Sequence, residues 1–289
     1  MRRVLITGAT GNVGSAVIRE LNKSKQEYKI IAGVRNQNSL KRVNLNFSIR
    51  AKYFDFTNFS SYDSALNNID SLFLLRPPQI TDVHKYFAPL IKTAEAKGIK
   101  QIIFLSVQGV EKSRLIPHNK IEKLILRSNL NFIFVRPGYF MQNLTTMFLD
   151  QIQQFRKLVI PAGKAKFNWI DVKDIGRAVA KLFADFKNYK NQKIELTGIE
   201  QKSFQEVTKL INVILDINLK YISPDPINYY VGKKHQGMDQ GEIIVRIMLH
   251  LLQRFQSTSP LTDQYEKITG KRPNSLVQFI QRERDKFIS

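Results

Sequence analysis

The sequence predicts an α/β fold in which a doubly wound parallel sheet is followed by a smaller, mostly helical lobe. Three observations support this prediction. A glycine-rich turn follows the first apolar run, short apolar runs then alternate with helical patterns as far as residue 137, and that rhythm stops afterwards. Strands that alternate with helices form βαβ units, and their right-handed crossovers build a parallel sheet covered by helices on both faces.

Six short runs in the first half of the chain are predicted strands. They lie at residues 3–7, 28–34, 50–54, 70–75, 101–106 and 131–136. Helical patterns fall between them, at residues 12–22, 59–67, 82–97 and 117–128. All the strands except the third are apolar almost throughout, which is typical of a sheet buried on both faces. We therefore expect a Rossmann-type sheet.

Helical patterns predominate after Pro137. We predict helices at residues 140–155, 226–235, 239–256 and 274–287, one that opens at Asp171, and one that opens at the capping box Ser203-Phe-Gln-Glu206. A further strand is predicted at Lys193–Leu196. We expect a first domain, of the Rossmann type, over residues 1–155. A smaller substrate or interaction lobe, partly interleaved with it, is expected over residues 156–289.

The composition is that of a globular protein, with 43% hydrophobic residues and no apolar run long enough to span a membrane. No secretory signal is expected, because the first residues already belong to a strand and its turn. The chain has no cysteine, which excludes disulfides and thiolate chemistry, and its four histidines lack metal-ligand spacing. We expect a cytoplasmic protein without a metal. Monomer and homodimer both remain open.

The chain carries a formal net charge of +21, from 45 Lys and Arg against 24 Asp and Glu. Taken alone, such an excess suggests an anionic partner such as nucleic acid. The basic residues are scattered, however, and form no long block. We therefore interpret the charge as a dispersed, solvated surface and do not expect a nucleic-acid partner despite the high pI.

The turn TGATGNVG carries three glycines, Gly8, Gly11 and Gly14. Gly8 permits the tight turn out of the strand, Gly11 lets phosphates approach the backbone, and Gly14 lets the next helix pack closely on the sheet. The pyrophosphate of a dinucleotide would bind at the N-terminus of that helix. Because the turn follows an apolar strand and precedes an amphipathic helix, we predict a dinucleotide site.

The end of the second strand distinguishes the two nicotinamide dinucleotides. A site selective for NAD places an acid there, about 20 residues past the glycines. Here the stretch reads Ala32-Gly-Val-Arg35-Asn36 and contains no acid. The guanidinium of Arg35 suits a 2′-phosphate, so we expect NADP(H), with NAD(H) as the alternative. The competing interpretation of Arg35 is an ordinary solvated side chain. Asn36, Lys41 and Arg42 are candidates for further phosphate contacts.

Several motifs occur in the order seen in NmrA-like proteins, which are atypical short-chain dehydrogenase/reductases. Besides the glycine turn and Arg35, they are FDFTN (54–58), LLRPP (74–78), FLSVQG (104–109), PHNKIE (117–122) and VRPGYFMQN (135–143). The chain resembles most the branch that is similar to NAD(P)H quinone reductases, triphenylmethane reductases and festuclavine dehydrogenases. The resemblance spans nearly the whole chain and is weaker after residue 200.

The resemblance also implies which residues bind the cofactor. Those implied for the pyrophosphate are Gly8, Thr10, Gly11, Asn12 and Val13, while Asp55 and Phe56 would hold the adenine. Leu75, Arg76 and Pro77 would border the ribose on the nicotinamide side. The residues implied around the nicotinamide are Ser106, Val107, Gln108, Pro137, Gly138, Tyr139 and Phe140. Candidates for a substrate cleft are Tyr139, Phe140, Met141, Asn143 and Trp169.

Ordinary members of the wider superfamily carry a Tyr-x-x-x-Lys pair on the helix after the fifth strand, where the tyrosine is the general acid. This chain has His118-Asn-Lys-Ile-Glu122 there instead. At this spacing the two side chains share a helix face, so Glu122 would orient His118 or stabilise its protonated form for proton donation. The alternative is a surface pair without a chemical role. Tyr-x-x-x-Lys spacings that begin at Tyr189, Tyr229 and Tyr230 do not follow the fifth strand, and we interpret them as coincidence.

Loss of the Tyr/Lys pair argues against a simple alcohol dehydrogenase but not against a reductase. A quinone or conjugated dye can accept hydride and take its proton from water, because the resulting charge is delocalised. Orientation over the nicotinamide then supplies most of the catalysis. We therefore expect an NADPH-dependent oxidoreductase that transfers hydride to a quinone-like or other conjugated small molecule. The alternative is a non-catalytic redox sensor that binds NADP(H) and regulates a partner.

Overall fold

The chain folds into two units, each assembled from three chain segments. The computed structural model describes residues 1–24, 27–36, 38, 49–112, 114, 116–256 and 258–288. The first unit comprises Met1–Pro137, Val172–Leu196 and Asp263–Lys271. The second unit comprises Gly138–Asp171, Thr197–Thr262 and Arg272–Ser289.

The regular elements are listed here in chain order. The strands are β1 (Arg2–Ile6), β2 (Tyr28–Val34), β3 (Arg50–Tyr53), β4 (Ser71–Leu75), β5 (Gln101–Leu105), β6 (Phe132–Pro137), β7 (Tyr139–Phe140), β8 (Lys157–Val159), β9 (Lys166–Ile170), β10 (Gln192–Leu196), β11 (Glu200–Ser203) and β12 (Lys220–Ile222). The α-helices are α1 (Asn12–Asn22), α2 (Ser60–Leu66), α3 (Val83–Ala96), α4 (Pro117–Leu126), α5 (Leu149–Phe155), α6 (Val172–Ala184), α7 (Phe186–Tyr189), α8 (Phe204–Leu215), α9 (Pro226–His235), α10 (Gln240–Leu251), α11 (Gln264–Thr269), α12 (Leu276–Arg282) and α13 (Arg284–Ile288).

The first unit is built on a parallel sheet of seven strands, in the order β10-β6-β5-β4-β1-β2-β3. Strands β1 to β6 have the spatial order 3-2-1-4-5-6, which is the order of the dinucleotide-binding Rossmann fold. The predicted fold class is therefore confirmed. The strand order reverses between β1 and β4, and open α/β sheets bind ligands outside the carboxyl ends of the strands at such a point.

All six strands predicted in the first half are present, and the strand predicted at 193–196 is β10. The predictions succeed because these runs are buried on both sides of the sheet. In β4, for example, Leu72, Phe73 and Leu74 are all within 1% of full burial, although alternate residues point to opposite faces.

A buried hydrogen-bond network holds the last segment of the first unit, which carries α11, against α6. The hydroxyl of Tyr265 donates to Asp174 Oδ1 at 2.9 Å. Arg177 Nη1 donates to that tyrosine oxygen at 2.6 Å and to Asp174 at 3.1 Å. Tyr265 and Asp174 are fully buried. Because a buried carboxylate is costly unless it is paired, this network stabilises α11 in its place.

The second unit combines two small sheets with helices. Its sheets have the strand orders β11-β9-β7 and β12-β8, and α8 begins at the predicted capping box, in which Ser203 and Glu206 bond each other's backbone. The continuous helix predicted at 140–155 is wrong. Tyr139–Phe140 pairs with β9, Met141–Thr145 is a 3-10 turn, and α5 covers only Leu149–Phe155. Met141, Leu144, Phe148 and Ile152 have the apolar spacing of a helix. All four are nevertheless buried by a chain path that is not one continuous helix.

No helix in the described part of the chain combines the length and the apolar character that crossing a bilayer requires.

Candidate functional site

The glycine turn after β1 has a geometry that requires glycine. Gly8 has a φ of +61°, a region that side chains other than glycine rarely adopt. A Cβ atom on Gly14 would lie 2.1 Å from the carbonyl oxygen of Gly8, and one on Gly11 would lie 3.3 Å from the same oxygen. The N–H of Gly11 donates to that oxygen at 2.9 Å, which closes the turn. The first turn of α1 therefore packs directly against the backbone that leaves β1.

The N-terminus of α1 is suited to bind an anion. Gly11 is the N-cap, no described side chain caps the helix, and its first turn carries no acid. The side chains of Thr10 and Asn12 are exposed, whereas that of Val13 is buried. The first N–H groups of a helix lack partners within it, and together with the helix dipole they favour a phosphate. The structure thus brings the predicted pyrophosphate residues together on one turn.

Arg35 and Asn36 follow β2 with exposed side chains. The Arg35 guanidinium pairs with no carboxylate among the residues that the structure describes. No acid occurs in the sequence from Tyr28 to Tyr53. The backbone N–H of Asn38 donates to Asn36 Oδ1 at 2.9 Å, so the Asn36 side chain is used in a local turn. Lys41 and Arg42 lie outside the described residues.

The two residues predicted beside the adenine differ in the exposure of their side chains. The Phe56 ring is 6% exposed and packs edge-on against Phe54 at 4.8 Å between centroids. Its ring therefore belongs to the core, and a contact of Phe56 with the adenine stays a prediction. Asp55 is partly exposed, and its Oδ1 accepts bonds at 2.8 Å from both the N–H and the hydroxyl of Thr57.

Arg76 follows β4 and is held by backbone carbonyls instead of carboxylates. Its Nη1 donates to the carbonyl oxygens of Pro77, Pro78 and Ile80 at 3.0, 3.1 and 2.8 Å. Its Nε is buried and has no hydrogen-bond partner among the described residues. Burial lowers the pKa of Arg76 to about 10, so the side chain remains a cation at neutral pH. Arg76 thus places an unneutralised positive charge at the carboxyl edge of the sheet.

Glu122 is buried and is paired with Arg136 on β6, not with His118. Arg136 Nε lies 3.0 Å from Glu122 Oε1, and Nη2 lies 2.7 Å from Oε2. The hydroxyl of Ser106 donates to Glu122 Oε1 at 2.6 Å. The expected pairing of His118 with Glu122 is therefore wrong. The four-residue spacing places both side chains on one side of α4, but a buried carboxylate binds the guanidinium that the neighbouring strand supplies.

His118 is an uncharged imidazole at neutral pH. Its burial, together with the charge of Arg76, lowers the pKa to about 3. Its ring is stacked on Phe104 of β5, with a centroid distance of 5.9 Å and an interplanar angle of 30°. No described residue forms an ion pair or hydrogen bond with the ring. The prediction that Glu122 stabilises a protonated His118 is thus contradicted.

The remaining predicted residues of the first unit lie where β5 and β6 end. The N–H of Gln108 donates to the carbonyl of Pro137 at 3.0 Å, and its side-chain amide donates to Glu195 at 2.9 Å. Val107 and Leu75 are partly exposed. The carboxyl ends of β4, β5 and β6 therefore carry the predicted residues side by side, as the parallel register requires.

The predicted substrate residues fall in the second unit, and most of them are core. Met141 and Trp169 have no exposed surface, and the indole of Trp169 donates to the carbonyl of Lys202 at 2.8 Å. Tyr139 is 8% exposed within the same apolar cluster, so the rings of Tyr139 and Trp169 and the Met141 side chain do not form an open surface of this unit. The substrate role of these three residues stays a prediction. Phe140 and Asn143 are partly exposed.

Close backbone packing explains Gly138. A Cβ atom there would lie 2.3 Å from the carbonyl oxygen of Asn168 on β9. Only glycine fits between β7 and β9 at this point, so Gly138 serves the packing of the second unit.

Sequence reasoning did not identify Arg136 or His250. Arg136 stands within the apolar run FIFVRP, and a cation inside a buried strand is itself a signal of a buried partner. His250 is fully buried and accepts a hydrogen bond from Tyr139 at 2.8 Å. Nothing in the local pattern of α10 indicates that partner, because the two residues lie far apart along the chain.

Comparison with known proteins identifies relatives along the whole chain. The chain is 26% identical over 278 residues to prestalk A differentiation protein A of Dictyostelium discoideum. The matched region covers 96% of this chain and 91% of the relative. It is also 26% identical over 287 residues to the NAD(P)H azoreductase of Xenophilus azovorans, with 96% of each chain covered.

Solved structures show the same fold at lower identity. NADPH-dependent quinone oxidoreductase QOR2 of Escherichia coli, in complex with NADPH, superposes with a TM-score of 0.85 at 19% identity, covering 96% of this chain and 99% of its own. The NADP(H) complex of Citrobacter sp. triphenylmethane reductase gives 0.84 at 18% identity, covering 98% and 99%. NmrA, a negative transcriptional regulator bound to NADP, gives 0.73 at 16% identity, covering 98% and 97%.

The sequence profile of the NmrA-like family matches residues 1–230, which is well over half of the chain. The glycine turn, the Rossmann strand order and the motifs that end β4, β5 and β6 all lie inside that range. The resemblance noted in the sequence is confirmed, and this chain belongs to the NmrA-like family.

Proposed function

We propose that this protein is an NADP(H)-dependent oxidoreductase that transfers hydride to a quinone-like or other conjugated small molecule. The observation that carries the proposal is the glycine turn, where a Cβ on Gly14 would collide with the backbone of Gly8 and the N-terminus of α1 carries no acid. The named relatives support it, since they include an NAD(P)H azoreductase and an NADPH-dependent quinone oxidoreductase.

The residues present fit NADP(H). Glycine at three points keeps side chains away from the N–H groups of α1, where a pyrophosphate would bind. Arg35 is an exposed guanidinium without a carboxylate partner among the described residues, so it is suited to hold a 2′-phosphate. Thr10 and Asn12 would add exposed polar groups to the same turn.

When bound, the cofactor supplies the hydride. We assign His118 and Arg76 to the stabilisation of the negative charge that develops on the acceptor. A neutral imidazole can donate a hydrogen bond to a developing oxyanion, and the cation of Arg76 lowers the energy of that charge. The charge of Arg76 contributes to the low pKa of His118, which supports assigning the two groups to one site.

Glu122 is a positioning residue in this proposal. Its carboxylate accepts from the Ser106 hydroxyl and from Arg136, so it fixes Ser106 at the end of β5. Ser106 and Gln108 would then face the nicotinamide with fixed backbone geometry. Phe140 and Asn143 are the predicted cleft residues that keep exposed surface.

A non-catalytic NADP(H) sensor is the second candidate function. The observation that favours it is the pKa of about 3 for His118, which leaves that residue unable to act as a cationic acid at neutral pH. The fold of NmrA, a transcriptional regulator, is compatible with this alternative.

Turnover separates the two functions. Oxidation of NADPH should be followed with a panel of quinones and azo dyes, alongside direct titration of the cofactor. His118→Asn should lower kcat/KM on the order of a hundredfold without changing the affinity for NADPH. His84→Asn, which alters an exposed histidine, is the control. Tight binding of NADPH without turnover on any acceptor would reject the reductase in favour of the sensor.

A further inference from the structure

Two cations are buried on helices α9 and α10 of the second unit, which pack against each other. Lys233 and Arg246 keep only 7% and 9% of their surface exposed. Burial lowers the pKa of Lys233, and the positive charge of Arg246 lowers it further. Like charges that are largely removed from water repel each other strongly. Such an arrangement is therefore costly unless an anion balances it.

Among the described residues one acid, Glu242, pairs with these cations, and it bonds only Arg246. Arg246 Nε and Nη2 lie 3.1 and 2.5 Å from Glu242 Oε1, and the Glu242 side chain is half exposed. The ammonium of Lys233 pairs with no carboxylate among the described residues. It donates to the neutral amide of Gln236 at 2.9 Å and lies 6.0 Å from the Tyr229 ring centroid. An ammonium has three N–H donors, so its capacity is not used up.

Tyr229 adds an unused hydroxyl donor at the same place. Its side chain is 2% exposed, and its hydroxyl has no hydrogen-bond partner among the described residues other than Arg246. Arg246 can only donate, so the phenolic proton of Tyr229 has no acceptor in the part of the chain that the structure describes. Buried polar groups are nearly always satisfied, which makes this donor an exception that calls for a partner.

Tyr139, in contrast to Tyr229, has an acceptor for its hydroxyl proton. His250 Nδ1 lies 2.6 Å from the carbonyl oxygen of Arg246, so it carries the ring proton. Its Nε2 is therefore free to accept from the hydroxyl of Tyr139 at 2.8 Å. Tyr139 and His250 satisfy each other, whereas the donors of Lys233, Arg246 and Tyr229 exceed the acceptors available to them.

We propose that Lys233, Arg246 and Tyr229 form a binding subsite for an oxyanion, a carboxylate or sulfonate carried by an aromatic ligand. Two cations and a phenol supply the charge and the hydrogen-bond donors that such a group requires. The identification of that ligand with the electron acceptor rests on the proposed function. The acceptor would then be an anionic conjugated compound, not a neutral one.

A matched pair of ligands isolates the charge. The affinities of an anthraquinone carboxylate and of the corresponding carboxamide should be measured by fluorescence of Trp169, the only tryptophan. Its ring centroid lies 4.9 Å from that of Tyr139, which bonds His250 beside Arg246. No cofactor is added, so the measurement does not depend on hydride transfer. We expect the carboxylate to bind on the order of tenfold more tightly than the carboxamide.

Two variants and a control complete the test. Lys233→Met should abolish the preference for the carboxylate, and Tyr229→Phe should reduce it while keeping the ring. Lys234→Met removes the same charge from an exposed position on the same helix and should keep the full preference. Equal affinity of the two ligands for the unaltered protein would overturn the subsite, as would equal effects of Lys233→Met and Lys234→Met. Absence of turnover with neutral and anionic quinones alike would instead reject the proposed function, with the binding result unaffected.

Discussion

Arg136 and Glu122 form a two-pronged buried ion pair, with Nε 3.0 Å from Oε1 and Nη2 2.7 Å from Oε2. The pair joins β6 to α4, and both side chains are less than a tenth exposed. Arg136 also reaches Glu111, whose side chain is half exposed, at 3.2 Å. The Arg136 guanidinium therefore binds one buried carboxylate, that of Glu122, and one half-exposed carboxylate, that of Glu111.

Glu122→Gln should destabilise the protein far more than Glu111→Gln. Removal of one charge of a buried pair costs about 3–5 kcal/mol, an upper value here because Arg136 keeps its contact with Glu111, whereas an exposed pair is worth about 0–1 kcal/mol. The free energy of unfolding in denaturant measures both variants. Similar losses for the two variants would show that burial does not distinguish these contacts.

Gly14→Ala should destabilise the fold and abolish dinucleotide binding. The added Cβ would lie 2.1 Å from the Gly8 oxygen, so α1 must move away from β1. Overpacking of this kind costs about 1–3 kcal/mol or more. Gly232→Ala is the matched control, because a Cβ there meets nothing within 4 Å inside a helix. That variant should gain up to about 1 kcal/mol from helix propensity. A stable Gly14→Ala protein that binds the cofactor normally would contradict the geometry of the turn.

Arg35→Asp should shift the cofactor preference from NADPH towards NADH. The carboxylate would repel the 2′-phosphate and accept from the ribose hydroxyls. Titration with both reduced cofactors measures the ratio of the two dissociation constants. Arg127→Asp, an equal charge change at another exposed position, should leave the ratio unchanged. An unchanged ratio for Arg35→Asp would mean that this arginine does not bind the phosphate.

The stability of the protein should fall as the pH drops below about 6.5. The folded-state pKa values of His118 and His250 are about 3 and about 4, both below the usual value of 6.5, chiefly because of burial. The unfolded chain therefore binds more protons in this window, and protons favour unfolding. His118→Gln should remove about 1–2 kcal/mol of the loss between pH 7 and pH 5. His84→Gln, at an exposed position, should keep the slope of the parent protein. Parallel pH profiles for His118→Gln and the parent would contradict the depressed pKa.

The sheet of the first unit was predictable because its strands are encoded locally. A run such as Ile102, Ile103 and Phe104 is apolar on every residue, which is typical of a short strand buried on both faces. The short strands of the second unit were not predicted. β8 and β12 have three residues each, and they pair with each other across a long stretch of chain that no local pattern encodes.

The site was predictable to the extent that backbone geometry determines it. The glycine turn follows from spacing, and the structure places it after β1 as expected. The partner of Glu122 was not predictable. Helix periodicity predicts His118 as the partner, whereas Arg136 reaches Glu122 only because of the way the strands are ordered in the folded sheet. The burial of Met141 and Trp169 was likewise not predictable, since aromatic and apolar residues have the same pattern in a core and in a cleft.

The order of the chain segments has a consequence for biosynthesis. The first unit is completed only by Asp263–Lys271, where Tyr265 bonds Asp174. A ribosome has therefore already made residues 1–262 when the segment that carries the last helix of the first unit begins to emerge. Until then the buried carboxylate of Asp174 lacks the tyrosine hydroxyl that bonds it in the finished fold. A nascent chain that ends before Lys271 should therefore remain bound to chaperones. Expression of residues 1–137 alone should yield an incomplete sheet that lacks β10.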